Sequence, residues 1–215
     1  MIQQKISGTV YGVVLNDRAS LQKIGSLEGA PYKGAPKAPA LYIKPANTRT
    51  GRGAVVRLPS QEESVEVGAT VGLILGRAAG RLEREHALDA VAGLVLAADL
   101  SLPHASYYRP AIREKCFDGS LPLGTVQPLV PLDTIVLTTV IDGELAEERS
   151  LADLVRDPAR LLADVTEFMT LAAGDVLLVG VTYQAPRARP GSRVTISATG
   201  LGSLDFSIAA QGTQP

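Results

Sequence analysis

Between Ala97 and Gly119 the chain reads AADLSLPHASYYRPAIREKCFDG. In this stretch it gathers one carboxylate (Asp99), one histidine (His104), two adjacent tyrosines (Tyr107, Tyr108), Arg109, Arg113, Lys115, the only cysteine (Cys116) and Asp118. Carboxylate, imidazole and ammonium groups move protons, and guanidinium groups bind carboxylates through two parallel hydrogen bonds. No other segment mixes charge, aromatics and turn residues so densely. It follows an apolar run and precedes Leu121-Pro122-Leu123-Gly124, so it reads as a loop leaving buried structure. Loops held by a rigid frame are where binding and catalytic groups concentrate. The same composition also suits a solvated surface loop, and it does not by itself give a reaction.

The frame that must position these groups is read from patterning. Gly8–Leu15 is β-branched and apolar, a strand ending at Asn16-Asp17. Leu21–Pro39 carries too many glycines and prolines for regular structure. Leu41–Ile43 is a short strand stopped by Lys44-Pro45, followed by the turn-rich ANTRTGRG, where Arg49 and Arg52 make a candidate anion site. Ala54–Leu58 and Val65–Leu75 read as strands, the second suited to burial on both faces. From Glu83 to Leu96, Leu88, Val91, Ala92 and Val95 recur at helical spacing, which predicts a helix with His86 on its surface. Thr134–Val140 reads as a strand and Asp142-Gly143 as a hairpin turn. Ser150 with Asp153, and Asp157-Pro158, mark helix starts. Leu161, Leu162, Val165, Phe168 and Met169 form the buried stripe of the second, which Gly174 ends. Asp175–Gly180 and Arg193–Ala198 are strands, and the tail after about residue 208 is expected to be loose. Strands predominate and do not alternate with helices. The expectation is therefore one α+β domain, a large mixed and mostly antiparallel sheet roll with few helices.

Several function classes lose support on composition. The net charge is −1 and the basic residues form no run, so neither nucleic acid nor an anionic membrane is an expected partner. A single cysteine excludes an internal disulfide framework and fits a reducing compartment. No apolar run is long enough to cross a membrane as a helix, and Met1–Asn16 does not have the pattern of a secretory leader, so the expected location is cytoplasmic. GxSxG, P-loop, HExxH and paired CxxC motifs do not occur.

The order of LYIKPANTRTGRG, a long strand ending LILG, AADLS, KCFDG and LAAGDVLLVG resembles the fumarylacetoacetate hydrolase family over roughly residues 8–208. Ser101–Pro103, Tyr107–Ile112, Lys115–Gly119 and Glu167–Leu171 are similar to the N-terminal half, or separate N-terminal subunit, of the family's bifunctional isomerase/decarboxylase branch. No single motif is specific; the resemblance rests on their order. It implies Mg2+ or Mn2+ held by a Glu-x-Glu strand and one Asp, gripping the vicinal oxygens of a 2-oxo acid while a lysine and polar groups move protons. Such hard cations want several oxygen ligands.

This chain departs from that pattern. The two glutamate positions fall on Gly68 and Thr70, and only Asp99 matches a ligand. Glu66 shares their strand face, but two residues displace it by about 7 Å, so it is not expected to replace them. The family's His-and-Glu pair near the N-terminus is absent, and Gly180-Val181-Thr182 stands for its Gly-Thr-Pro turn. No tightly bound cation is expected. Lys115 and Asp99 are the candidates for proton transfer or orientation. Arg109, Arg113, Tyr107 and Lys44 are the candidates for binding a 2-oxo dicarboxylate or tricarboxylate. The resemblance further implies pairing, as a homodimer or with a paralogous C-terminal subunit. It leaves two readings: an isomerase that moves a proton between 2-hydroxydienoic and 2-oxo forms, or an inactive subunit supporting a metal-competent paralogue.

Overall fold

The computed structural model describes residues 6–29, 34, 36–104 and 111–212. In chain order its elements are β1 (Val10–Val14), α1 (Arg18–Ile24), β2 (Ala40–Lys44), β3 (Arg49–Gly51), β4 (Val55–Arg57), β5 (Val65–Leu75) and β6 (Val91–Ser101). There follow α2 (Ile112–Lys115), β7 (Leu121–Gln127), β8 (Val136–Ile141), β9 (Glu144–Ser150), α3 (Pro158–Thr166), β10 (Val176–Leu178), β11 (Arg187–Ala188), β12 (Arg193–Ala198) and β13 (Gly202–Ala209). One sheet runs β2-β1-β10-β5-β6-β7-β3, with β11 also on β5, and the other runs β4-β13-β12-β8-β9. Among the described strands, only β1 with β10, β3 with β7 and β4 with β13 pair in parallel. The mixed, mostly antiparallel architecture agrees with the sequence reading.

The two longest strands, β5 and β6, form the spine. Val65, Val67, Ala69, Val71 and Leu73 alternate toward a core that also takes Val194, Ile196, Leu204 and Phe206 from the second sheet. The opposite face of the same strands carries Glu66, Gly68 and Thr70 at one end and Ile74 and Val95 at the other, the latter two within a smaller apolar cluster with Val10, Leu121, Val176 and Leu178. Both faces of the spine are therefore buried, as continuous apolar runs imply.

That double burial also explains the largest departure from the sequence reading. The helix expected over Glu83–Leu96 is a 3₁₀ segment, Arg84–Ala90, followed at once by β6. A strand buried on both faces has no period of two to display, and Leu88, Val91, Ala92 and Val95 match helical spacing by coincidence. Asp99 consequently sits on a strand rather than in a loop. Helix α1 lies partly within the stretch read as irregular; Asp17 caps it by accepting from Ser20 N at 2.8 Å. Helix α3 starts at the expected cap, Asp157, with Pro158 in its first turn, but ends at Thr166, and Phe168 is 62% exposed rather than part of its buried stripe. The Asp142-Gly143 turn joins β8 to β9, both residues at positive φ (55° and 87°). Arg49 and Arg52 do not form an anion site: Arg49 donates to the carbonyls of Ile6 and Gly8, and Arg52 is bound to Asp205 at 2.7 Å.

Candidate functional site

Antiparallel register sets the centre of the site. Gly68 faces Asp99 across β5 and β6, Glu66 faces Ser101, and Thr70 faces Ala97. Side chains at these positions share the face turned away from the main core. Strand β2 brings Tyr42 and Lys44, two residues apart and so on one side of the strand. The short helix α2 ends on Lys115. Tyr42 fits because its cross-strand partner is a glycine: a Cβ on Gly12 would fall 2.0 Å from the phenol ring.

Asp99, 1% exposed, is the hub. Its Oδ2 accepts from Tyr42 OH at 2.5 Å and from Lys115 Nζ at 2.6 Å. Lys44 Nζ lies 2.8 Å from Oδ1 as an ion pair. Oδ1 still has no aligned hydrogen bond, because the lysine's donors are directed at the carbonyls of Leu100 (2.8 Å), Lys115 (2.5 Å) and Ser120 (3.1 Å). Lys115 Nζ also stands 4.5 Å from the centroid of the Tyr42 ring, within cation–π range. Burial alone would raise the Asp99 pKa, but the two ammonium groups outweigh it and hold the carboxyl down to about 2. Burial pushes Lys44 down to about 8 despite Asp99, with Lys115 adding to the fall. Asp99 is thus a fixed anion at neutral pH, clamped between two lysines.

Beside this cluster lies a pocket of about 10 Å³, room for roughly one water. Glu66, Asp99, Ser101, His104, Lys115 and Thr182 line it. His104 Nδ1 donates to the Leu102 carbonyl at 3.0 Å. The opposite wall is the 179–186 segment, which leaves the sheet between β10 and β11. It is tied down through the Gly180 carbonyl, which accepts from Thr70 Oγ1 at 2.7 Å and from Arg149 Nη2 at 3.1 Å. Arg149 Nη2 also donates to the Ala69 carbonyl at 3.1 Å, in the gap where β5 has neither β10 nor β11 beside it.

The sequence-derived candidates separate accordingly. Lys115 and Asp99 are in direct contact. Lys44 is fully buried with its donors used, so it holds Asp99 and the main chain and cannot reach a substrate. Arg113 is exposed and paired with Glu62 at 2.7 Å, away from the pocket. Arg109 and Tyr107 lie outside the described residues. Tyr42 and Arg149 were not anticipated; the only local signal for Tyr42 was its two-residue spacing from Lys44, and Arg149 gave none.

These residues do not fit a divalent cation. Asp99 already meets two ammonium groups and a phenol. Thr70 uses its hydroxyl on Gly180, and a side chain at position 68 would meet Val181 Cγ1 at 3.0 Å. Among the described residues no three His, Cys, Asp or Glu side chains are placed to share a metal ion. Calorimetric titration with Mg2+ or Mn2+ should therefore show no site tighter than about 1 mM, the weak end for such cations. A stoichiometric micromolar site abolished by Glu66→Gln would overturn this.

A two-sheet, mostly antiparallel roll with a lysine-clamped aspartate on its central strand pair defines the structural class. The sequence pattern of the fumarylacetoacetate (FAA) hydrolase C-terminal family matches residues 9–209, and the chain belongs to that family. The 4-hydroxyphenylacetate degradation bifunctional isomerase/decarboxylase of Salmonella dublin is 42% identical over 96% of this chain and 48% of its own length. The Escherichia coli protein of that description is 40% identical over 93% and 47%. The chain spans about half the length of these curated relatives. Among solved structures, fumarylpyruvate hydrolase from Pseudomonas aeruginosa, in complex with Mn2+ and pyruvate, superposes with a TM-score of 0.83 at 21% identity, covering 94% of this chain and 90% of that one. The 5-carboxymethyl-2-hydroxymuconate delta-isomerase from Mycobacterium smegmatis gives 0.82 at 24%, covering 97% and 81%. At these identities the likeness shows the fold alone. No described helix is long and apolar enough to cross a membrane.

Proposed function

We propose that this chain supplies one half of an isomerase/decarboxylase of 4-hydroxyphenylacetate (homoprotocatechuate) degradation, as a subunit or a fused half. Its own step is enol–keto proton transfer on 5-carboxymethyl-2-hydroxymuconate-type acids. The observation that carries this reading is the 42% identity that runs through 96% of the chain to one half of such an enzyme. Lys115 is the group suited to the step. Its ammonium borders the pocket and is held in place by Asp99 at 2.6 Å, so it can bind the oxygen on which charge develops. Asp99 is the orienting anion and Lys44 its buried support. Tautomerisation needs only proton removal and return beside a charge-stabilising group. Decarboxylation needs a stronger electron sink, and it falls to a partner half that keeps the Glu-x-Glu pair and its cation.

One observation favours a second reading, a catalytically inactive half that supports the partner: Asp99 Oδ2 already accepts from Tyr42 and Lys115, and Oδ1 is ion-paired with Lys44. Assay of the purified chain, alone and mixed with the paralogous half, separates the two. Tautomerase activity that needs this chain and falls about 10²–10⁴-fold in Lys115→Met supports the enzyme reading. A mixture indifferent to Lys115→Met supports the inactive half. Chelation should remove decarboxylation and leave tautomerisation.

A further inference from the structure

The site holds two carboxylates that its surroundings treat in opposite ways. Asp99 is clamped by Lys44 and Lys115 and stays ionised. Glu66 sits one register step along the same face of β5, 6% exposed, and lines the same pocket as Lys115. Among the described residues it has no pair of lysines against it. The charged and titratable groups that act on it are His104, Arg187 on β11, and Lys115; Arg187 Nη2 approaches Oε1 only to 3.5 Å and is itself more than half exposed. Asp99, the remaining charge in the pocket, is neutralised by its own lysines. Burial raises the Glu66 pKa, with His104 and Arg187 working against the rise. Two carboxyl groups in one pocket, one clamped as an anion and one whose pKa burial pushes upward, are the arrangement that divides orienting and proton-carrying roles.

We propose that Glu66 is the proton carrier of this site, working across the pocket from Lys115. The proposal rests on the tautomerase reading above. Ionised Glu66 takes the proton of the substrate's enol O–H, and the electron pair of that bond becomes the C=O π bond. The conjugated pairs shift along the chain, and the far carbon takes the same proton back from Glu66 as a C–H. Lys115 hydrogen-bonds the oxygen throughout and neither gains nor loses a proton. No oxidant, metal or second base is consumed.

The test has two arms on the full chain, assayed alone and with the partner half. In the first, the side-chain carboxyls of 13C-labelled glutamates are titrated by NMR, with the Glu66 signal identified by its loss in Glu66→Gln. Its midpoint should lie above those of the exposed glutamates. A midpoint at or below theirs overturns the proposal whether or not the protein is active. In the second, Glu66→Gln should lower kcat for tautomerisation about 10²–10⁴-fold with KM and unfolding midpoint unchanged, remove the acidic limb of the kcat/KM profile, and be partly rescued by Glu66→Asp. An active wild type whose Glu66→Gln variant keeps its rate and its acidic limb removes Glu66 and leaves the tautomerase reading standing. A wild type with no tautomerase activity, alone or with its partner, removes both.

Discussion

Asp99→Asn should lower the folding free energy by about 3–5 kcal/mol, read as a fall in the urea midpoint at unchanged slope. The substitution keeps the shape and removes the carboxylate charge that is ion-paired with two ammonium groups exposed by 0% and 4%. The cost is that of leaving the partners buried and unpaired, which exceeds the net contribution of the intact pair. Because burial already brings Lys44 down to about 8, losing Asp99 lets it shed its proton more easily, so the loss should be smaller at pH 9.5 than at pH 6. In Lys44→Met/Asp99→Asn the double-mutant cycle should show favourable coupling, the second change costing less than it does alone. A loss under about 1 kcal/mol for Asp99→Asn would mean that water reaches the carboxylate and the clamp is not dry.

The wild type should show the matching pH dependence. The folded Asp99 carboxyl, at about 2, lies below its ordinary value of 3.8, so the unfolded chain binds the proton more readily. Its contribution is complete above about pH 4 and is lost as pH falls through 2; Asp99→Asn lacks this acid step. Lys44 works the other way. Its folded value lies below its ordinary 10.5, so the unfolded state holds more protons between pH 8 and 10.5, and this group adds stability as pH rises through that window.

Arg149→Met should cost about 3–5 kcal/mol, again by urea unfolding. The guanidinium reaches from the edge strand of the second sheet to two buried carbonyls, Ala69 and Gly180, and stands 3.6 Å from Asp17 Oδ1, which accepts no hydrogen bond among the described residues. Removing it takes a donor from both carbonyls, leaving Gly180 only Thr70, and removes the cation beside a carboxylate that is 1% exposed. Hydrogen exchange should quicken across 179–186 more than across β5 and β6, since Arg149 bonds the Gly180 carbonyl within that segment. Arg149→Lys should recover only part of the loss, because one ammonium cannot reproduce a planar fork that serves two carbonyls and an anion. Equal protection in the variant and the wild type would show that the 179–186 wall stands on its own packing.

Much of the fold was legible in local patterning, and the failures share one cause. Strands β1, β2 and β5, the Asp142-Gly143 hairpin and the Asp157-Pro158 helix start all announce themselves through alternation or turn and cap chemistry. Val91–Leu96 was misread because a doubly buried strand is apolar at every position, and a period cannot be extracted from a uniform run. Phe168 was misread because helical spacing continues in the sequence for a few residues after the helix has ended.

For the site, the sequence by itself determined which chemical groups exist: Asp99 and Lys115 within one segment, and Glu66, Gly68 and Thr70 at alternate positions of another. Those are facts of residue type and order, and no fold can alter them. Only the tertiary structure decided which groups meet. Tyr42 and Asp99 are 57 residues apart in the chain, Lys44 and Ser120 are 76 apart, and Arg149 and Ala69 are 80 apart. Local spacing fixes the side of a strand that a residue faces, but strand register and the packing of one sheet on another bring distant residues within 3 Å. That register enclosed Lys44, turned it from a candidate ligand of the substrate into the support of Asp99, and left Glu66 on the pocket that Lys115 lines, with Arg187 3.5 Å away.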